Sequence, residues 1–417
     1  MTHSGLTISR WLLAAISSLS PFGVVIMVPL IPLLSVTFDR NIGDLQYLIS
    51  IYVMGLAISQ PLVGMLADRI GKRPVLLTGF TLFVVSSVAL MLATTLQQMI
   101  GLRFLQAVGV GAGTVIARSM IRDHLAPDEA LKAFALLTAA MGFTPVIAPI
   151  LGGFFAEKGG ISSVFALLAA LGLLLLLWCL KSIPKEPAEV RQEQRVTLRG
   201  YRSLLASGLF WGHACAFGFI QGMFFTLLST GGALFNQQFG MSITTFGAVW
   251  GVLSLTYVVG SFLISHSAKL GTPTWQRGTV MAMLVVSLSA PALLLLNGLT
   301  LFGILAPVAC SMLLSGVLTP ATLYGSVNAI PQYSGSAAGL SSAVGMSMAA
   351  LFSYLGALAY EYQPWMVMIC FSGAGLGFAE WATLGQENHT PPTLITTSWR
   401  KSAGKAPIMQ SGKSTKA

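Results

Sequence analysis

Charged side chains are scarce in this chain: Asp, Glu, Lys and Arg together make up 9% of its 417 residues. A typical soluble domain carries about 25% charged residues, so a soluble fold of this size would lack the charge to cover its surface. Hydrophobic residues make up 54% of the chain, and the mean hydropathy is +0.78. The composition excludes an ordinary soluble protein and predicts an all-α protein that crosses a membrane many times.

Motifs for bound cofactors are also missing. The four cysteines lie inside apolar runs, and their spacing is not typical of a metal or redox site. No Walker-type phosphate-binding motif occurs in the sequence. We therefore expect no metal and no cofactor, and any transport must use an ion gradient or the gradient of the substrate. The alternative to a transporter is a membrane-embedded enzyme or sensor. The sequence does not favour it, because no catalytic constellation or soluble sensing domain supports it.

Twelve apolar runs are present, each long enough to cross about 30 Å of hydrocarbon. They lie near residues 11–37, 45–66, 74–95, 98–118, 131–156, 161–181, 206–234, 243–267, 276–297, 300–324, 332–360 and 363–384. Pro21, Pro29, Pro32 and Pro61 interrupt the first two runs and predict kinks or breaks there.

The basic residues are unevenly distributed between the loops. With a cytoplasmic N-terminus, 20 of the 23 Lys and Arg residues fall on the cytoplasmic side, Arg118 among them, and two fall outside. The positive-inside rule therefore predicts that both termini are cytoplasmic. The net charge of +10 thus reflects how the chain is oriented in the lipid bilayer and is not evidence of nucleic-acid binding.

A polar stretch near 182–205 separates the runs into two sets of six. This predicts an N-terminal bundle at 11–182, a cytoplasmic linker at 183–205 and a C-terminal bundle at 206–384. Residues 385–417, rich in Thr, Ser and Lys, are predicted to be a disordered tail. Two equal bundles are typical of a duplicated transporter with its substrate path between them.

The loop between the second and third runs reads GMLADRIGKRP, from Gly64 to Pro74. Gly64 lets another helix approach closely, and Gly71 permits a tight turn. Asp68 is placed to pair with cations or to cap the N-terminus of a neighbouring helix. The segment resembles the loop signature of the major facilitator superfamily, which implies a gate that closes the cytoplasmic side. The gate residues would be Gly64, Asp68, Arg69, Gly71, Lys72 and Arg73.

A cation lies inside the fourth run: Arg103, three residues before Gln106 and followed by three glycines. A charge in the bilayer costs roughly 2.5–3.5 kcal/mol or more, so it should face the protein interior or water. The pattern resembles the R-x-x-Q-G motif of proton-coupled members of the superfamily, with Ala107 in place of Gly, and implies a role in proton coupling. The alternative is that Arg103 snorkels to the outer membrane interface, since it lies near the start of the run.

Small and helix-bending residues alternate in the fifth run, with Pro145 and Pro149 between Gly142 and the pair Gly152-Gly153. They predict a bent helix with one small face, and enlarging either paired glycine should push this helix off its partner. The pattern resembles the antiporter motif G-x-x-x-G-P-x-x-G-G of the superfamily, in a variant with Ala-Pro in place of Gly-Pro.

Two further segments point to one branch of that superfamily: Arg-Asp at 122–123 and NAIPQYSGSAAGL at 328–340. With the Ala-Pro variant, they resemble the bicyclomycin and chloramphenicol resistance (Bcr/CflA) branch of twelve-span drug:proton antiporters. The resemblance spans 11–384, densely in the first half and thinly in the second. It implies two six-helix bundles and a monomer in the inner (plasma) membrane of a bacterium.

The sequence departs from the pattern of that branch at a position linked to proton coupling. Members of that branch usually carry an acidic residue in the first run, but residues 20–29 contain none. His213 in the seventh run is another titratable candidate, or simply a histidine near the inner interface. Two hypotheses therefore stay open: export of a small amphipathic organic compound by proton antiport, or a facilitator or importer of a metabolite or siderophore without it.

The fold of the superfamily places runs one, four, seven and ten around the substrate path. Aromatic, Met and small polar residues on these runs suit an amphipathic organic molecule, although the same residues equally face lipid or pack against other helices. The candidates for the cavity are Ser17, Ser20, Phe22, Met27, Gln106, Phe217, Gln221, Phe224, Phe225 and Tyr324.

Overall fold

The structure is a computed structural model that describes residues 9–40, 45, 47–183, 198–267, 272–297, 300–375 and 377. The predicted tail and most of the predicted linker lie outside the described residues. The described helices are α1 (Arg10–Val25), α2 (Ile31–Phe38), α3 (Tyr47–Ile70), α4 (Lys72–Met91), α5 (Leu96–His124), α6 (Pro127–Ser182), α7 (Leu198–Leu205), α8 (Gly208–Phe239), α9 (Ile243–His266), α10 (Pro273–Asn297), α11 (Leu301–Asn328), α12 (Ser334–Tyr362) and α13 (367–375).

Within the described residues, ten helical segments are long and apolar enough to cross a membrane. One of them lies in α6, whose 56 residues would form a straight helix about 84 Å long, far longer than the hydrocarbon layer. The helix is broken at Gly159 and Gly160, and Gly160 has φ 69°, a value that residues with a Cβ rarely adopt. α6 therefore supplies two spans, and the all-α polytopic prediction is confirmed.

The first predicted run is broken once. The helix continues through Pro21, ends at Val25 and resumes as α2 after a 3₁₀ turn at Val28–Leu30. Pro61 likewise lies inside a continuous α3. The break changes the hydrogen bonding, because the amide of Met27 donates to the carbonyl of Val24 and not to that of Gly23. The Gly23 carbonyl is thus released from the helix and can accept another donor.

Two main apolar cores are present, one mostly within residues 10–182, here called the N half, and one within residues 208–375, the C half. α5 lies at the centre of the N half. A Cβ at Gly109, Gly111 or Gly113 would come within 3 Å of α4, α3 and α1, respectively. These glycines let three helices pack directly against α5.

The halves are joined toward one end. We call it the basic end, because Arg69, Lys72, Arg73 and Arg122 lie where α3 and α5 finish and α4 and α6 begin. The hydrogen bonds between the halves run from α3, α5 and α6 to α9, α11 and α12 toward this end. Among the described residues, no hydrogen bond joins the halves at the opposite end.

Candidate functional site

The carboxylate of Asp68, two residues before the end of α3, lies against the start of α12. Its Oδ1 accepts a hydrogen bond from the amide of Gly335 at 3.0 Å, and its Oδ2 accepts one from the amide of Ser336 at 2.7 Å. The first amides of a helix have no partner within the helix, and Tyr333, the N-cap of α12, offers no side-chain cap. Asp68 of the N half therefore caps a helix of the C half.

Close contact of two backbones makes this cap possible. A Cβ at Gly64 would overlap the carbonyl oxygen of Gly335, and a Cβ at Gly335 would overlap the Asp68 carboxylate. One turn further along, a Cβ at Gly339 would overlap the carbonyl of Gln60. Gly335 and Gly339, one turn apart on α12, and Gly64 on α3 thus bring the two helices to the distance at which a short aspartate side chain reaches the amides.

A second contact between the halves centres on Asp123 near the end of α5. Its carboxylate forms ion pairs with Lys72 and with Arg122 (3.0 Å) and accepts a hydrogen bond from the hydroxyl of Ser334 at 3.2 Å. Arg122 also donates from Nε to the side-chain oxygen of Asn328 on α11 at 3.2 Å. Asp123 and Arg122 together thus link the start of α4 with α11 and α12 of the C half.

The interhalf cluster is the name used below for the residues of these two contacts. It comprises Asp68, Lys72, Arg122 and Asp123 from the N half and Asn328, Ser334, Gly335 and Ser336 from the C half. Ser119 of the N half is included as well, because its hydroxyl oxygen lies 2.7 Å from that of Ser334.

The other residues of the predicted gate shape the turn between α3 and α4. Gly71 has φ 95° and is the only residue between the two helices, so a residue without a Cβ is favoured. Arg73 donates to the carbonyl of Leu180 at 3.0 Å, which ties the turn to the end of α6. Arg69 is exposed. The sequence-predicted gate is therefore gathered at one site, with Asp68 and Lys72 buried in it.

Arg103 is fully buried in the N half. Its Nη1 donates to Oε1 of Gln106 at 2.6 Å, and its Nη2 donates to the carbonyl of Gly23 at 2.9 Å. The Gly23 carbonyl is the one released by the break after α1. The amide of Gln106 donates to Ser87 on α4 at 2.7 Å, and the Arg103 guanidinium lies 4.1 Å from the ring centroid of Tyr52 on α3. The guanidinium is held inside the helix bundle and does not lie at the lipid-facing surface.

The glycines of the antiporter-like motif face different neighbours. A Cβ at Gly142 would lie 2.7 Å from the ring of Tyr257 on α9, across the boundary between the halves. A Cβ at Gly152 would lie 2.6 Å from the carbonyl of Ile26, beside the break after α1. A Cβ at Gly153 would have no neighbour within 4 Å. The prediction that enlarging either paired glycine would push this helix off its partner is therefore wrong for Gly153. Pro145 and Pro149 lie inside the continuous helix between these glycines, both half-buried.

Two of the predicted cavity residues contact the opposite half. Phe217 on α8 lies beside Arg118, with its ring centroid 5.6 Å from the guanidinium carbon, and Tyr324 on α11 packs edge-on against Phe134 of α6 at 5.9 Å. These two aromatic residues therefore lie at the boundary between the halves.

The remaining candidates lie within one half. Met27 and Gln106 are fully buried in the N half, and Ser20 is buried there with its carbonyl accepting from the Tyr52 hydroxyl. Phe224 packs against Trp250 of the C half, with ring centroids 5.1 Å apart. Phe22 and Gln221 are half-buried.

Several residues of the site are not among the sequence-based candidates. Asp123, Ser334 and Ser336 lie in the segments that carry the family resemblance, but neither segment marks them as partners of Asp68 or Lys72. The sequence counts Arg118 among the basic residues of the cytoplasmic side and does not mark it as buried. In the structure Arg118 lies inside α5, six residues before its end, and is only 2% exposed.

Known proteins resemble the chain in sequence. Residues 13–353 match the family model of the Major Facilitator Superfamily. The chain is 28% identical over 290 residues to the uncharacterized MFS-type transporter YdgK of Bacillus subtilis, covering 68% of this chain and 71% of that protein. It is 23% identical to a bicyclomycin resistance protein homolog of Haemophilus influenzae, covering 64% and 68% of the two chains. It is 32% identical to the multidrug resistance protein MdtL of Escherichia coli over 40% of this chain and 44% of that protein.

Solved structures resemble it in fold. The proton:xylose symporter XylE superposes with a TM-score of 0.76 at 15% identity, covering 91% of this chain and 96% of that one. FucP, solved in an outward conformation, superposes with a TM-score of 0.73 at 13% identity, covering 91% and 99%. With the family model matching most of the sequence and transporters of the same fold superposing on it, the chain belongs to the major facilitator superfamily and is a transporter, not an enzyme.

Proposed function

We propose that this transporter exports a small amphipathic organic compound from the bacterial cytoplasm by alternating access, in exchange for protons. The observation that carries the proposal is the cap of Asp68 on α12, because it joins the two halves at one end of the molecule. The distribution of Lys and Arg supports a cytoplasmic position for the basic end. In that orientation the described state is closed toward the cytoplasm, and opening it requires breaking the interhalf cluster.

Export is supported by the relatives named for resistance to bicyclomycin and to several drugs. Rocking one bundle against the other would expose the path first to the cytoplasm and then to the opposite side. The aromatic residues at the boundary, Phe217 and Tyr324, suit an apolar molecular body.

Proton exchange is supported by the buried network around Arg103. Its guanidinium binds the Gly23 carbonyl at the break after α1. A change in the hydrogen bonds of Arg103 would therefore alter the position of α1, a helix beside the path. A charge buried inside a membrane protein typically marks an ion pathway or binding site.

One observation favours the alternative of a facilitator without proton antiport. In the described part of the spans, the carboxylates lie at helix ends, as Asp68 and Asp123 do, and none lies at mid-membrane. A carboxylate buried at mid-membrane is the simplest reversible proton carrier. Uncoupled transport would need no such group.

Purified protein in proteoliposomes with an internal pH-sensitive dye separates the two functions. Bicyclomycin, chloramphenicol and ethidium serve as probes, each added with and without an imposed proton gradient. Antiport predicts proton movement when a probe is added and accumulation that depends on the gradient. Equilibration of a probe without proton movement would establish the facilitator. 2-Naphthoate is added as a fourth, anionic probe, and failure of all four to cross would reject export of small amphipathic compounds.

A further inference from the structure

Arg118 is a buried cation of the N half that contacts the C half. It lies six residues before His124, the last residue of α5, and its side chain is buried. Its Nη1 donates to the hydroxyl of Ser342 on α12 at 2.6 Å, and its guanidinium lies beside the ring of Phe217 on α8. Two helices of the C half therefore contact this one charge.

No counter-charge accompanies it among the described residues. The ion pairs found there join Arg10 to Glu129 and join Lys72 and Arg122 to Asp123, and none includes Arg118. The Nε of Arg118 also has no hydrogen-bond partner in the described part of the chain. A hydroxyl and a ring face stabilise a buried guanidinium less well than a carboxylate does, so Arg118 is a desolvated cation without an anion.

Arg103 and Arg118 differ in which half of the molecule supplies their partners. The partners of Arg103 all belong to the N half, so it stays paired when the halves move apart. The partners of Arg118 belong to the C half. Opening of the basic end therefore removes them together and exposes the guanidinium to the path.

We propose that Arg118 binds an anionic group of the transported molecule, a carboxylate, sulfonate or phosphate, when the basic end is open. This rests on the proposed function, because it names the substrate class of the same path. The planar guanidinium presents paired N–H donors that match two oxygens of such a group. The bound anion takes the place of Ser342, and the Phe217 ring contacts the apolar body beside it.

Binding of matched compounds to the full-length protein in detergent tests the proposal without any gradient. The probes are benzoate, 2-naphthoate and 1-pyrenebutyrate, each beside its neutral primary amide, with thermal stabilisation of the protein as the readout. We expect the carboxylates to stabilise the wild type more than the amides do. Arg118→Gln should weaken carboxylate binding by about tenfold or more, since it removes a charge-assisted pair. Arg118→Lys should keep part of the affinity for carboxylates, because lysine keeps the positive charge but lacks the paired N–H donors of the guanidinium.

Ser342→Ala separates ligand binding from a purely structural latch. It removes the closed-state partner of Arg118 and should leave carboxylate binding at least as tight as in the wild type. A structural latch predicts instead that Ser342→Ala and Arg118→Gln behave alike. The proposal is overturned if no carboxylate binds, if the amides bind as well as the carboxylates, or if Arg118→Gln binds them like the wild type. Failure of proton antiport would show separately, as absent proton movement in liposomes with carboxylate binding intact.

Discussion

Asp68 accepts two hydrogen bonds from Ser336, one from its backbone amide and one from its hydroxyl, and each is 2.7 Å long. The two residues belong to different halves of the molecule. A negative charge at the N-terminus of a helix is stabilised both by the free amides and by the helix dipole. The contact therefore depends on the charge of Asp68 and on a state in which α3 and α12 touch.

Asp68→Asn should reduce transport strongly while leaving membrane insertion intact. Asparagine lacks the charge that strengthens hydrogen bonds to helix amides, and such bonds are worth about 1.5–3 kcal/mol each. The initial transport rate in proteoliposomes is the measurement. Asp39→Asn serves as the matched control, because Asp39 is exposed and follows the end of α2. A wild-type rate for Asp68→Asn would remove Asp68 from the gate.

Gly152→Ala and Gly153→Ala should differ although the residues are neighbours. The added methyl group at Gly152 would meet the carbonyl of Ile26, whereas that at Gly153 would enter open space. Overpacking of this kind costs about 1–3 kcal/mol. Thermal unfolding in detergent should show a lower midpoint for Gly152→Ala alone. Equal midpoints for the two variants would contradict the packing of α6 beside the break after α1.

Arg103→Ala should abolish accumulation of substrate against its gradient. The substitution leaves Gln106 and the Gly23 carbonyl without their buried donor, and unpaired buried groups of this kind cost about 1–3 kcal/mol each. Accumulation is measured with and without a proton-motive force. Wild-type accumulation by Arg103→Ala would exclude a coupling role.

Arg103→Lys should restore this function poorly. A single ammonium group cannot reproduce the two-sided geometry in which Nη1 binds Gln106 and Nη2 binds Gly23. Full rescue by lysine would mean that only the charge matters. Near-normal transport by both the alanine and lysine variants would show that the buried Arg103 network has no part in coupling.

The Lys72–Asp123 pair should couple more strongly than the Arg10–Glu129 pair. The side chains of the first pair are 6% and 14% exposed, whereas those of the second are 40% and 53% exposed. Exposed pairs contribute about 0.2–1 kcal/mol, and breaking a buried pair costs about 3–5 kcal/mol. Double-mutant cycles on thermal stability, with Gln and Asn replacements, measure both couplings. Similar couplings would contradict a structural role for the buried pair.

The sequence predicts the span pattern and the turn at Gly71 because both depend on local signals. Long apolar runs report membrane spans directly, and a glycine between two helices reports a tight turn. The role of Asp68 is different: the residue types leave open a cation pair or a helix cap. The structure shows the cap because the amides of Gly335 and Ser336 are its partners, and these lie 267 and 268 positions further along the chain.

Arg118 and Gly153 show what local signals cannot determine. An arginine near the end of an apolar run has the same sequence context whether it faces the cytoplasm or turns into the protein, and the contacts with α8 and α12 appear only in the structure. Two adjacent glycines likewise point in different directions on a helix, so only one of them meets the broken end of α1. Neither outcome is contained in the residue types alone.

Distances between the halves at both ends of the molecule test alternating access most directly. Spin labels are attached to exposed positions, Ile70 with Gln332 at the basic end and Val36 with Gln237 at the opposite end, after the four native cysteines are replaced. Pulsed electron paramagnetic resonance then compares the otherwise unmodified protein with Asp68→Asn. Asp68→Asn is expected to lengthen the distance at the basic end and to shorten the distance at the opposite end. An unchanged distance at the basic end, or a change of the same sign at both ends, would contradict a gate held closed by Asp68.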